Sequence, residues 1–156
     1  MRAKLIVEGK EFDIEIQDPE LQKLVTPKKT GYEHVDINND YYYVYSDGEV
    51  LFDSVEVEEH YLAANYYSNR TVAENNSRAD KLMRQLRRFA VEHRENGCDW
   101  QDDSADKYFI YYNHNLENLN VHANIYTQTY CGIYFDSMDA ANLAIDTFHD
   151  ELMWYF

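Results

Sequence analysis

The sequence predicts an α+β fold, with mostly antiparallel sheet, one long amphipathic helix at about 70–95 and a C-terminal helix at about 138–152. Three observations carry that prediction. Two stretches alternate apolar and polar residues on either side of a turn. One long stretch repeats its apolar residues at the helical period. The predicted order of strands, helix, strands, helix leaves few crossover units for a parallel sheet.

In order along the chain, "AKLIVEGKEFDIEI" alternates around Glu8-Gly9-Lys10 and predicts a hairpin at about 3–16. In "QDPELQKLV", Asp18 is an N-cap and Pro19 a first helical residue, so a short helix runs to about Val25. "YYYVYSDGEVLFDSV" predicts a second hairpin turning at Asp47-Gly48, and "EVEEHYLAANYYSN" reads as an acidic, then aromatic, connection. Between Arg70 and Glu95, the residues Val72, Ala79, Leu82, Met83, Leu86, Phe89, Ala90 and His93 share roughly a third of the helical wheel. Gly97 is the stop signal, and Asp80 and Arg84 are spaced for an i,i+4 ion pair. Strands are expected at 106–113, 120–130 and 131–135. A last helix is capped by Ser137, with Met138, Ala141, Ile145, Phe148 and Leu152 on its apolar face. No internal repeat is visible. The chain divides into an N-terminal hairpin plus short helix, 1–30, and a main α+β domain, 31–156.

Composition excludes several classes. Fifteen tyrosines and seven phenylalanines in 156 residues are too many for a disordered chain. No secretory leader and no membrane-length apolar run is present, so a cytoplasmic location and no membrane partner are expected. Cys98 and Cys131 lack CxxC company, so neither a disulfide framework nor a zinc site is expected.

Charge is more informative. The formal net charge is −15. Residues 1–60 hold 15 acids against 6 bases, and residues 98–156 hold 10 acids against Lys107 alone. Between them, residues 61–97 are net basic, with 7 bases against 4 acids. On the wheel, Arg78, Lys81, Arg84, Arg87, Arg88 and Arg94 lie opposite Leu82, Leu86 and Phe89. That basic back face either is neutralised by the chain's own acids or is free to meet something else. A chain this acidic is repelled by nucleic acid, so no direct nucleic-acid binding is expected, and its natural electrostatic partner is a basic protein surface.

Signals for chemistry are weak. Asp99, Asp102, Asp103 and Asp106 crowd "DWQDDSAD", but an EF-hand loop fails for want of Gly at position six and Glu at position twelve. The six histidines form no H-x-x-x-H pair, and no nucleophile elbow or phosphate loop occurs. No catalytic residue, cofactor or metal is therefore expected. The tyrosines at 41–43, 66, 67, 111 and 112 read as packing residues, interface anchors or a stacking platform. The acids Asp36, Asp40, Asp47, Glu49, Asp53, Glu56, Glu58 and Glu59 flank them. With the 99–106 cluster, these are either a solubility surface or a contact surface.

One resemblance adds to this reading. "YYYVYSDGEV", "ANYYSNRTVAENN", "LRRFAVEHRENGCDW", "DKYFIYY" and "GIYFDSMDAANLAIDTF", together spanning about residues 41–156, resemble in order small acidic proteins of phages and mobile elements of Gram-positive bacteria. Type II-A anti-CRISPR proteins are among proteins of this kind. The resemblance implies a non-enzymatic inhibitor, monomer or homodimer. It would bind the DNA channel of a CRISPR-associated nuclease through acidic surfaces, as a duplex-DNA mimic. The alternative is a phage regulatory or structural module whose acidity serves solubility.

Overall fold

The structure, a computed structural model, describes residues 2–7, 10–25, 29–36, 39–55, 57–128 and 132–156. Its elements are β1 (Arg2–Val7), β2 (Lys10–Glu15), α1 (Pro19–Val25), β3 (Tyr41–Val44), β4 (Val50–Asp53), α2 (Glu58–Leu62), α3 (Arg70–Glu92), β5 (Lys107–Asn113), β6 (Asn118–Asn124) and α4 (Met138–Tyr155). The strands pair as three antiparallel hairpins, β1–β2, β3–β4 and β5–β6, so the class is α+β.

The main body is one topological unit used twice. In the first, β3–β4 gains a third strand position where Tyr42 and Tyr67 exchange backbone hydrogen bonds of 2.8 and 2.9 Å. Two residues later Asn69 caps α3, its side chain accepting from the Val72 N–H at 3.2 Å. In the second, Tyr108 of β5 exchanges two 2.8 Å hydrogen bonds with Phe135. Two residues later Ser137 caps α4 by accepting from Ala140. Each cap satisfies one of the donors a helix start leaves open, worth about 1 kcal/mol. The sequence showed no repeat because the matched features are a bridge and a cap, not a run of identical residues.

The core lies where the two units meet. Leu82, Leu86 and Phe89 of α3 pack with Ala140, Ala141, Ala144 and Leu152 of α4 and with Phe135. Tyr108, Ile110, Leu119 and Val121 close it from the β5–β6 sheet. Three alanines on α4 let α3 approach closely, while each fully buried Leu or Phe contributes about 1.5–3 kcal/mol. A separate aromatic layer joins Tyr41 of β3 to Tyr66 and Tyr67; all three are buried, with Tyr41 and Tyr66 stacked at 4.4 Å. These three tyrosines are packing residues.

The β3–β4 turn is fixed by Gly48, whose φ of +95° suits only a residue without Cβ. Its carbonyl accepts from the Ser77 hydroxyl at 2.6 Å, pinning the hairpin tip to α3. Gly31 (φ +92°) lies so close to α3 that a Cβ there would stand 2.6 Å from Val72 Cγ2.

Several expectations need correction. The 58–62 segment is a helix, α2, where a connection was expected; its five residues are too few to show a helical period. Helix α3 stops at Glu92 with His93 as C-cap, so Arg94 and Glu95 fall beyond it and Gly97 is not its cap. His93 is exposed, its ring stacked on Phe89 at 3.8 Å. Asp80 and Arg84 form no ion pair. The strand expected at 120–130 is β6, from Asn118 to Asn124; the Asn124 side chain accepts from the Tyr126 and Thr127 N–H groups and turns the chain away. Of the strand expected at 131–135, Cys131 lies outside the described residues and only Phe135 bridges. The turn at Glu8-Gly9 is likewise outside them. Met138 is half-exposed, because Ala140, Ala141 and Ala144 define the buried face of α4.

The alanine seam gives a direct test. Ala144 is fully buried, so Ala144→Leu forces extra side-chain volume into the seam and should cost about 1–3 kcal/mol in urea unfolding. An exposed control, Asn142→Leu, should change stability by less than about 0.5 kcal/mol.

Candidate protein-contact surface

The carboxylates singled out in the sequence divide between the two units. Asp47 and Glu49 stand at the β3–β4 tip, and Asp53 ends β4 opposite Tyr41 in the register. Glu58 and Glu59 occupy the first turn of α2, where the helix dipole favours them. Asp36 and Asp40 line a shallow depression of about 540 Å³, together with Lys29 and Glu33, beside the start of α3. Asp99, Asp102, Asp103 and Asp106 sit in the loop between α3 and β5. Glu56 lies outside the described residues. Among the described residues no hydrogen bond joins the first group to the 99–106 loop, so the structure gives two acidic segments.

Both segments are shaped by their own hydrogen bonds. Asp47 accepts from the Glu49 N–H at 2.9 Å and Asp53 from the Val55 N–H at 2.9 Å. In the loop, Asp99 accepts from Gln101, and Asp102 accepts from the N–H and hydroxyl of Ser104. The Ser104 hydroxyl and then its N–H hold the Asp102 carboxyl below its ordinary value. Beneath the loop Lys107 is 1% exposed, donates to the Asp102 carbonyl and faces the Trp100 ring at 5.6 Å. The one Lys or Arg of the C-terminal third thus donates to backbone and forms no ion pair, although its charge also helps lower the Asp102 carboxyl.

That is the general pattern. Among the described residues, no carboxylate of either segment forms an ion pair with Lys or Arg. The arginines that pair do so elsewhere: Arg70 with Glu74, Arg88 with Glu92, and Arg78 with Glu151 through two hydrogen bonds of 2.7 and 3.0 Å. Arg78 also stacks on Trp154 at 4.0 Å. Asp47 and Glu49 share a depression with Arg70, Arg78 and Lys81 without pairing to them. Arg84, Arg87 and Arg94 have no ion-pair partner among the described residues, so the basic face is neutralised only in part.

Exposed apolar side chains accompany the acids of the first unit. Phe52 is 64% exposed, Val55 69% and Leu62 75%, and Tyr45 at the hairpin tip is also exposed. Helix α2 is seated by rings: His60 Nδ1 and the Tyr41 hydroxyl are 2.9 Å apart, His60 stacks on Tyr43 at 4.2 Å, and Tyr61 meets His34 at 4.0 Å.

Two structural carboxylates were missed in the sequence. Glu33 accepts from the N–H groups of Thr30 and Gly31 and from the hydroxyls of Thr30 and Ser68. The Thr30 N–H foremost, then the Ser68 hydroxyl, lower its pKa from 4.5 to about 2. Asp136 Oδ2 accepts from the N–H groups of Glu95, Asn96 and Gly97 at 2.8–2.9 Å, while its buried Oδ1 has no partner. Burial pushes the Asp136 carboxyl up, but those three donors outweigh it and leave it below the ordinary value. Burial, reinforced by Asp136, raises the nearby Cys98 thiol, which makes it a poor nucleophile. Both carboxylates bind backbone brought near by the fold, and no spacing in the sequence announces that.

Among the described residues, no group of three or more His, Cys, Asp or Glu is placed to hold a metal ion, and no helix is long and apolar enough to cross a membrane. Comparison with models of known protein families, with curated proteins and with solved structures finds no match in any of the three.

The Glu33 clasp gives a pH signature. Its carboxyl has a folded-state pKa near 2 against an ordinary 4.5, so the clasp stabilises the fold fully above 4.5 and loses its effect as pH falls through about 2. Comparing urea unfolding of the parent and Glu33→Gln across that range should show the parent's advantage shrinking on acidification. Parallel stability curves would show that the clasp contributes nothing.

Proposed function

We propose that this chain is a non-catalytic inhibitor that offers unpaired carboxylates to a basic protein surface. Its two acidic segments would stand in for the phosphates of duplex DNA in the channel of a CRISPR-associated nuclease. The observation that carries the binding part is that Asp36, Asp40, Asp47, Glu49, Asp53, Glu58 and Glu59 have no Lys or Arg partner among the described residues, while Tyr45, Phe52, Val55 and Leu62 lie exposed among them. A surface serving solubility alone needs charge but gains nothing from exposed large apolar groups. A contact surface needs both, charge for steering and apolar area for affinity. The nuclease as partner, and occupation of its DNA channel, rest on the resemblance of residues 41–156 to proteins that include type II-A anti-CRISPRs.

A second reading is a phage regulatory or structural module that packs on another protein. The exposed apolar groups suit it equally, but it does not need the carboxylates.

A charge-reversed variant separates the two. Asp47→Lys, Glu49→Lys, Glu58→Lys and Glu59→Lys, made together, should weaken binding to a susceptible type II nuclease at least tenfold at about 0.15 M salt, or at least about 1.4 kcal/mol. The same variant should restore target cleavage. Unimpaired cleavage by every nuclease of a type II panel at excess parent protein would reject the nuclease reading. A reversed variant that inhibits as well as the parent would reject the acidic contact.

A further inference from the structure

The arginines left unpaired by the fold are arranged in a line. Arg84, Arg87 and Val91 are three and four residues apart on α3, and Arg94 follows three residues later, just past the helix end. All four are exposed, and within the helix Arg84, Arg87 and Val91 lie opposite the buried Leu82, Leu86 and Phe89. Steps of three and four keep residues on one stripe of a helix, so this stripe suits a straight partner such as a second helix.

Helix α4 carries a stripe of the opposite sign on the face away from its own core. Asp139, Leu143 and Asp146 are four and three residues apart, and Asp150 follows a kink at Phe148 (φ −115°, ψ 21°); all four are exposed. Among the described residues Asp139 and Asp146 have no ion-pair partner and Asp150 pairs only with the neighbouring His149, although Asp146 and Asp150 share a depression with Arg78 and Lys81 of the same chain. Laid antiparallel, the two stripes match in order. Within regular helix Arg87 falls opposite Asp146 and Val91 opposite Leu143; Arg84 comes toward Asp150, which follows the kink, and Arg94 toward Asp139 from past the end of α3. Measured from the Arg87–Asp146 pair, the next rungs, Val91 and Leu143, differ by one residue, about 1.5 Å of rise. The one apolar residue of the basic stripe thereby meets the one apolar residue of the acidic stripe.

Within one chain α3 and α4 already pack through their other faces, so the stripes cannot meet each other there. We infer that the partner of the Arg84–Arg87–Val91 stripe is α4 of a second copy of this chain. A phosphate backbone suits the stripe less well, because Val91 interrupts it and Glu92 and Glu95 flank it. Two chains of −15 repel at long range. At about 0.15 M salt that repulsion is screened beyond roughly 8 Å, whereas facing side chains in contact are screened much less.

Analytical ultracentrifugation at about 0.15 M salt, over micromolar to millimolar protein, tests this. The parent should self-associate. Arg87→Asp and Asp146→Arg should each weaken association at least tenfold, and the double variant should restore it. Val91→Asp should dissociate the assembly without breaking an ion pair. Far-UV circular dichroism confirms that each variant is folded, as its exposed position demands. A monomeric parent overturns the proposal, as does association indifferent to the single reversals or a double variant that fails to reassociate.

Discussion

The fold depends on one small constraint used twice: a pair of backbone hydrogen bonds that fastens each helix start to the hairpin before it. Tyr42 with Tyr67, and Tyr108 with Phe135, each set the chain two residues short of an N-cap. The residue between bridge and cap then fastens the segment that precedes the hairpin. Ser68 does so by donating its hydroxyl to Glu33 and its N–H to the Gly31 carbonyl. Asp136 does so by accepting three N–H groups after α3. A two-stranded hairpin is marginal alone. Fastened this way, β5–β6 becomes one wall of the core that α3 and α4 complete, while β3–β4 packs on α3.

That arrangement explains which parts of the fold were legible in the sequence. Helix α3 was, because Leu82, Leu86 and Phe89 recur at its period, and so was the β3–β4 turn, because Gly48 supplies a conformation other residues resist. The repeat was not. Its visible trace is only Tyr66-Tyr67-Ser68-Asn69 beside Tyr134-Phe135-Asp136-Ser137: two aromatics, a polar anchor and a cap. Helix α2 was hidden because Tyr41, Tyr43 and His34 seat it from distant positions in the chain. Met138 misled because it has the right phase for the α4 core, yet the alanine seam lies one step around the helix.

The candidate surface was legible in composition but not in geometry. Acid counts mark where charge is dense, and they rank Glu33 and Asp136 with the rest. The structure separates them by what their oxygens do. Four groups donate to Glu33 and three to Asp136, so these carboxylates are spent on holding loops. The described ones among Asp36, Asp40, Asp47, Glu49, Asp53, Glu58, Glu59 and the 99–106 cluster are held in shape by at most local donors and form no ion pair with Lys or Arg. Lys107 makes the same distinction among bases: buried against Trp100, it donates to the Asp102 carbonyl and forms no ion pair with the loop's carboxylates, though its charge also helps keep Asp102 ionised.

The basic stretch of α3 is therefore not simply the counter-charge of an acidic protein. If the acids had been selected to balance it, the hairpin tip would be the obvious partner, since Asp47 and Glu49 share a depression with Arg70, Arg78 and Lys81. Instead Arg70 and Arg88 turn to glutamates one helical turn along, and Arg78 reaches across to Glu151 and Trp154 on α4. Such exposed pairs contribute little to stability, typically under 1 kcal/mol each. Their effect is on charge distribution: they cancel arginines against glutamates outside the acidic segments and leave those segments at full strength. The same bookkeeping leaves Arg84, Arg87 and Arg94 uncancelled, so a strongly acidic molecule retains a positive stripe along one helix. The molecule is thus polar in its surface as well as acidic in its sum, and each sign is carried by side chains that the fold itself does not consume.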